Sequence, residues 1–301
     1  LWTQAEEVRL SKLREWEAKE LSNYLNDTLP LFYPFSGPDF LHAHYFFPEA
    51  KSYHMIAIEP VITFDLKAMN EAQIQEYLRS LRSSLRDVLG KSYFITTHMM
   101  EDLKEQKVKG VLPLFYVFLA RTGHEILDVE TARLDSSGIM VYDDASYHGL
   151  SILCMRDDTD SPVLVEYMDL NLVDHELNRK PFDTWVNGIG AKNGFVKAAS
   201  YLMHYAGFSV IRDAMQRNTM TIFQDDTGIP LKYLDTDTYN IKLYGAYTRP
   251  IKNFTDQMMQ KDLKALYEST PKDEIGTIPF PLGYHVVGDR IQNHQIFTRK
   301  E

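Results

Sequence analysis

At 301 residues, with 44% hydrophobic and 25% charged side chains, the chain is long enough to bury a sizeable core and too apolar to be disordered. A net charge of −10 disfavours a nucleic-acid partner, because phosphate binding needs a basic face. The single cysteine, Cys154, excludes an internal disulfide and a cysteine zinc site, and no apolar stretch reaches the roughly 18 residues of a membrane span.

Residues 1–27 read as a helix with an apolar stripe of Leu10, Leu13, Trp16, Leu21, Tyr24 and Leu25, ended by Pro30 and Pro34. Next comes the densest run of aromatics, prolines and histidines, Tyr33 to Pro48. Within it Ser36-Gly37-Pro38-Asp39 fits a capping box flanked by Phe35 and Phe40 at the staple positions, so Ser36 to Phe46 is predicted as a short helix capped by Ser36. Ser52 to Phe64 reads as a strand broken at Glu59-Pro60. The next helix is the best specified: Asn70 caps it, Gln73 reaches back, Ile74 to Leu89 keep helical spacing, and Gly90 stops it. A short helix at Thr97 to Glu105 and a buried strand at Val111 to Leu119 come after it.

Ala132 to Tyr142 and Gly149 to Met155 read as strands around the Asp143-Asp144 turn, and Pro162 to Leu170 as another. Asp174 to Gly190 is irregular and partly helical. Asn193 to Ala206 is predicted as a helix, with Phe195, Val196, Ala199, Leu202 and Met203 on one face and Gly207 as its stop. Ser209 caps a further helix to about Arg217. Thr219 to Phe223 and Ile229 to Leu234 form a hairpin around Asp225-Asp226-Thr227-Gly228. Tyr239 to Tyr247 is a strand, Asp256 to Tyr267 a helix, and Tyr284 to Val287 a last strand. Strand, long helix, short helix and apolar strand recur between Ser52–Ala120 and Pro162–Gln224. The expected fold is therefore α/β (or α+β), a mixed sheet with packed helices. It forms one compact unit over 1–301, with two similar βααβ halves, 30–130 and 131–301, behind an N-terminal helix 1–29.

Three groups of residues carry candidate chemistry. His42 and His44 would share a face on a strand, but on a helix they point about 200° apart and cannot hold one metal. Asp225 and Asp226 are adjacent carboxylates able to act as acid and base, or a plain turn with Asp first and Gly fourth. Ser200 and His204 fall four apart on the predicted helix and so on one face, as half of a nucleophilic relay. Cys154 lies in an apolar run and reads as a buried core thiol. No Gly-x-Ser-x-Gly, Gly-x-Gly-x-x-Gly, P-loop or His-Glu-x-x-His motif occurs, so no cofactor and no metal is expected. The catalytic candidates are Ser36, His42, His204 and Asp225; the ligand-binding candidates are Tyr33, Asp39, His44 and Asp226.

Tyr33-Pro34-Phe35-Ser36-Gly37-Pro38-Asp39-Phe40 resembles a recurrent motif of an uncharacterised family of bacterial predicted secreted proteins and lipoproteins. Further segments are similar in order along the chain: Lys91-Ser92-Tyr93-Phe94, Phe118-Leu119-Ala120-Arg121, Lys197 to His204, Gln224 to Pro230 and Tyr244-Gly245-Ala246-Tyr247. Ala57-Ile58-Glu59-Pro60 departs from the commoner Gly-Leu-Glu-Pro. The resemblance implies a bacterial source and export to the periplasm or cell envelope. It lends no activity. The start at Leu1 rather than Met fits removal of a signal peptide or lipoprotein leader, or an artificial boundary. With every polar motif explained by a cap or a turn, the sequence favours a non-enzymatic binding protein for a small molecule, glycan or peptide. The alternative is a hydrolase or transferase whose pocket joins the Ser36–His44 segment, Ser200, His204 and Asp225/Asp226.

Overall fold

Three strands are buried at every position: β1 (Leu31–Pro34), β2 (Ser52–Ala57) and β7 (Lys192–Val196). Strands buried on both faces need helices on both faces, and a computed structural model shows that arrangement. The structure describes residues 1–26, 28–63, 66–91, 110–142, 146–157, 159–252, 254–284 and 292–300. The remaining strands are β3 (His124–Leu134), β4 (Met140–Tyr142), β5 (Gly149–Arg156), β6 (Pro162–Asp169), β8 (Thr219–Gln224), β9 (Tyr239–Gly245) and β10 (Asn293–Arg299). They form one ten-stranded sheet in the order β4-β3-β5-β6-β2-β1-β7-β8-β10-β9. The five central strands, β6 to β8, run parallel; antiparallel wings flank them. The α/β class with a mixed sheet is thus the observed one.

Alternate residues face two separate cores. Leu31, Tyr33, Tyr53 and Met55 pack under α2 (Ser11–Lys19), α3 (Phe40–Phe46), α4 (Glu71–Lys91) and α5 (Leu112–Arg121). Phe32 and Ile56 pack under α6 (Arg179–Ile189) and α7 (Ser209–Gln216). At the N-terminus, α1 (Trp2–Ala5) leads through a π-helical turn, Glu6–Leu10, into α2, and α8 (Lys261–Ser269) lies against the β9 wing. The α4 start is as predicted: Asn70 N–H donates to Gln73 Oε1 at 2.9 Å, and Gln73 N–H to Asn70 Oδ1 at 3.0 Å. Each side chain satisfies an amide that the helix leaves without a partner. Cys154 is a buried core thiol that donates to the Val163 carbonyl at 3.4 Å; burial pushes its pKa up to about 12.

Several predicted elements are corrected. Val111–Leu119 is not a strand but α5, with Pro113 in its first turn, where the missing amide costs no helical bond. An apolar run buried on all sides looks the same in a helix and a strand. Asn193–Ala206 is not a helix: residues 192–196 are β7, and the chain beyond them turns repeatedly. A Cβ on Gly194 would lie 2.8 Å from Met215 Cε, so the strand runs close beneath α7. Ala198, Ser200 and Tyr201 then take φ of 55°, 53° and 57°, left-handed values that end a right-handed helix.

Ile229–Leu234 is no strand, since β8 pairs with β7 and β10. Ala132–Tyr142 is a hairpin, turning at Asp135–Gly138 between β3 and β4. Gly90 lies inside α4 instead of ending it. With 112–121 helical and 197–201 not, the βααβ echo is absent. The predicted helix at 97–105, the Asp143-Asp144 turn, the Lys91–Phe94 segment beyond Lys91 and the strand beyond Tyr284 lie outside the described residues.

The core under α2 to α5 centres on Trp16, whose ring centroid lies 5.2 to 6.2 Å from those of Phe46, Phe223, Tyr244 and Phe280, while its Nε1–H donates to the Thr277 carbonyl at 3.0 Å. Removing a buried indole loses its transfer free energy and leaves a cavity. Trp16→Ala is expected to lower unfolding stability by about 3–5 kcal/mol, measured by denaturant unfolding.

Candidate functional site

The five parallel strands end on one edge, and the chain leaves them in opposing directions. From β1 it enters α3 on one face and returns as β2; from β7 it reaches α7 on the other face and returns as β8. The loops after β1 and β7 therefore diverge, which opens a crevice at a topological switch point. A cavity of about 310 Å³ occupies it, lined by 35–37 and Asp39 after β1, Ile58 and Glu59 after β2, 170–173 after β6, 197–200 after β7, and Phe208 and Tyr284.

Its polar floor is one buried network. Lys197 Nζ lies 2.7 Å from Asp39 Oδ2, and the Tyr33 hydroxyl donates to the same oxygen at 3.0 Å. His42 Nδ1 meets Asp39 Oδ1 at 2.7 Å. With an ionised carboxylate as acceptor, Nδ1 carries the proton. Burial, outweighing Asp39, lowers the His42 pKa to about 4, so the ring is neutral at pH 7 and Lys197 supplies the adjacent charge. Burial would raise the Asp39 carboxyl, but His42 and Lys197 overcome it and hold it at about 2. Burial lowers the Lys197 pKa and Asp39 opposes that shift. Glu59 stands apart from this network. Tyr167 donates to its carbonyl at 2.9 Å and its Oε2 at 3.4 Å, and burial pushes the carboxyl up to about 7.

The β7 loop is stapled to the β8 loop. Asp225 Oδ2 accepts from the Ala198 amide at 3.0 Å, and Asp225 Oδ1 from the Thr227 amide at 3.0 Å. Thr227 Oγ1 accepts from the Ala199 amide at 2.8 Å. These bonds hold the backbone in left-handed conformations. Phe35, at φ 58°, does the same in the β1 loop. Such positions cost about 1–3 kcal/mol each and persist where the surroundings over-determine them. Gly283, at φ +61°, closes the floor: a Cβ there would lie 2.9 Å from Asp225 Oδ2.

Among the predicted site residues, Tyr33, Ser36 and Asp39 line the cavity. His42 stands behind Asp39, and Asp225 lies beneath the β7 loop. Asp226 turns away: Tyr201 donates to Oδ2 at 2.5 Å and Asn293 to Oδ1 at 3.0 Å, while burial and then Asp225 push its pKa up to about 7. The Asp225–Gly228 turn is present, with the Gly228 amide donating to the Asp225 carbonyl at 3.1 Å. His44, as helix geometry requires, points away from His42, with Nδ1 3.3 Å from the Tyr53 hydroxyl.

Ser200 and His204 form no relay. Ser200 Oγ bonds the Tyr284 hydroxyl at 2.6 Å, and His204 Nε2 lies 3.1 Å from the Asp226 carbonyl oxygen. Asp39, not Ser36, caps α3, accepting from the His42 amide; Ser36 Oγ donates to the Ile56 carbonyl at 3.3 Å. Nor do Phe35 and Phe40 form a staple: they pack on Phe208 and Tyr53, on opposite sides of the sheet. Sequence reading misses Lys197 and Glu59. Each lies just past the end of a central strand, but the helical reading of 193–206 hides Lys197. Among the described residues, no group of three His, Cys, Asp or Glu is placed to hold a metal ion.

The buried charges make two outcomes measurable. Asp39→Asn leaves Lys197 buried without its counter-charge and is expected to cost about 3–5 kcal/mol. The double variant Asp39→Asn/Lys197→Met should lose less than the sum of the single variants in denaturant unfolding. For Glu59 the folded pKa lies above the unfolded one, so its contribution to stability is present at low pH and lost as pH rises from about 4.5 through about 7. Glu59→Gln lacks that loss, and its melting temperature relative to the parent protein should rise between pH 5 and pH 8. Comparison with protein-family models, curated proteins and solved structures finds no match to this chain, so the reading of the cleft rests on its own residues.

Proposed function

We propose that the cleft binds a small polyhydroxylated ligand of saccharide type. One observation carries this reading: Ser36, Glu59 and Ser200, together with the Asp39–Lys197 floor, share a cavity with Phe35, Phe208 and Tyr284. A hydroxyl both donates and accepts, so it can bridge such a floor, while the apolar face of a sugar ring lies against aromatic walls. At about 310 Å³ the cavity stands at the small end of ligand sites, which favours a compact ligand over an extended peptide. The resemblance to exported bacterial proteins supports a periplasmic or cell-envelope setting, which cell fractionation tests.

A second reading, hydrolysis or group transfer at the same cleft, is favoured by the split between its carboxyls. Asp39 stays ionised at about 2 while Glu59 titrates near 7, the separation that distinguishes an acid from a base in one site. Under that reading Glu59→Gln retains ligand and loses turnover; equal turnover in the two proteins rejects it.

A thermal-shift screen with monosaccharides, disaccharides and peptidoglycan fragments tests binding. A true ligand at 100 times its Kd should add about 2.7 kcal/mol of stability. Val173→Trp, which places an indole at the half-buried rim, should remove the response. A flat response of the parent protein across the panel rejects the reading.

A further inference from the structure

The cleft uses the C-terminal end of β2; the other end of the same strand carries a second constellation. Ser52 and His54 are two residues apart on β2 and so share a face. The register places His54 directly beside Glu166 of β6. Ser52 Oγ lies 3.0 Å from His54 Nε2, and His54 Nδ1 lies 2.6 Å from Glu166 Oε2. The Glu166 carboxylate can only accept, so Nδ1 carries the ring proton and Nε2 presents its lone pair to the serine hydroxyl. Trp185 of α6 stands edge-on to the imidazole at 6.1 Å. Hydroxyl, imidazole and carboxylate are thus held in the order nucleophile, base and orienting group, recognised by geometry and not by sequence position. The group is sheltered yet not sealed: Ser52 keeps 9% of its surface exposed and His54 8%. Ser52 lies roughly 16 Å along the strand from Ala57 at the cleft, at about 3.3 Å per residue, so the two sites share no residue.

We propose that Ser52, His54 and Glu166 form an acyl-transfer site for activated esters. Ser52 Oγ attacks the ester carbonyl carbon while His54 Nε2 takes the hydroxyl proton. The bond from the carbonyl carbon to the leaving oxygen then breaks, and the imidazolium returns the proton to that oxygen, releasing the alcohol. Water attacks the Ser52 ester, His54 takes its proton and passes it to Ser52 Oγ, and the carboxylic acid leaves. Glu166 is a positioning residue that fixes the ring tautomer and stabilises the imidazolium. The three side chains supply no donor to the developing oxyanion, which is why the class is an activated ester, whose good leaving group makes the least demand on one.

The test is labelling of the full chain with a fluorophosphonate probe, read by mass spectrometry of the digested protein, together with the p-nitrophenolate burst from p-nitrophenyl acetate. Label on Ser52 is expected, with no burst from Ser52→Ala. His54→Gln should label at least about 100-fold more slowly, the usual contribution of a general base. Glu166→Gln should move the midpoint of the pH–rate profile downward, since the imidazolium loses its carboxylate; a merely structural role would leave that midpoint in place. Absence of label on Ser52, or labelling at the parental rate in folded His54→Gln, overturns the proposal. Ser52→Ala removes a single oxygen and keeps the packing, so should the His54 variant not fold, an equal burst from Ser52→Ala and the parent overturns it too.

Discussion

The buried ion pair between Asp39 and Lys197 is the constraint on which the centre of the molecule depends. Taking two charges out of water costs several kcal/mol per ion, and their attraction offsets this only when the remaining hydrogen-bonding capacity is filled. Here Tyr33 and His42 fill the carboxylate. The same carboxylate caps α3, so one group joins the end of β1, the start of α3 and the end of β7. Arg9, in the π-helical turn, adds positive charge near Asp39; burial lowers its pKa to about 10 against the pull of that carboxylate. Its Nη2 donates to the Val88 carbonyl at 2.9 Å, which ties the N-terminal helices and α4 to the same region.

The cleft's position comes from topology, and its shape from the loops. Divergence of the chain after β1 and β7 leaves a crevice that no crossover covers. Three residues in left-handed conformations then keep the β7 loop from continuing as a helix, and Asp225 and Thr227 hold its amides. Strained backbone therefore gathers where the polar floor is built, as expected of a site and not of a core. The second constellation has a different origin. Parallel register alone sets His54 beside Glu166, and the two-residue period of the strand brings Ser52 onto the same face.

Local physics is readable wherever a signal depends on residues close in the chain. The reciprocal bonds of Asn70 and Gln73, the turn from Asp225 to Gly228, the burial of Cys154 and the divergence of His42 and His44 all rest on spacings of a few residues. Where two elements share a local pattern, reading fails. Val111–Leu119 is apolar throughout and suits a helix or a strand equally, and 193–206 has helical spacing only because two loops and a strand bury similar residues. Ser36 fits a cap by spacing, but Asp39 takes the role because Lys197, from a distant strand, fixes its carboxylate beside the helix.

The sequence by itself determined the α/β class, the strands β2, β5, β6, β8 and β9 and the helices α2, α3, α4, α7 and α8, but not β1, β7 or β10, because periodicity, caps and turns act over one or two turns of chain. Only the tertiary structure decided which charged groups meet. Lys197 is 158 residues from Asp39 by their numbering, and Glu166 is 112 from His54. Pairings at such separations are set by strand order and register, which no local pattern encodes.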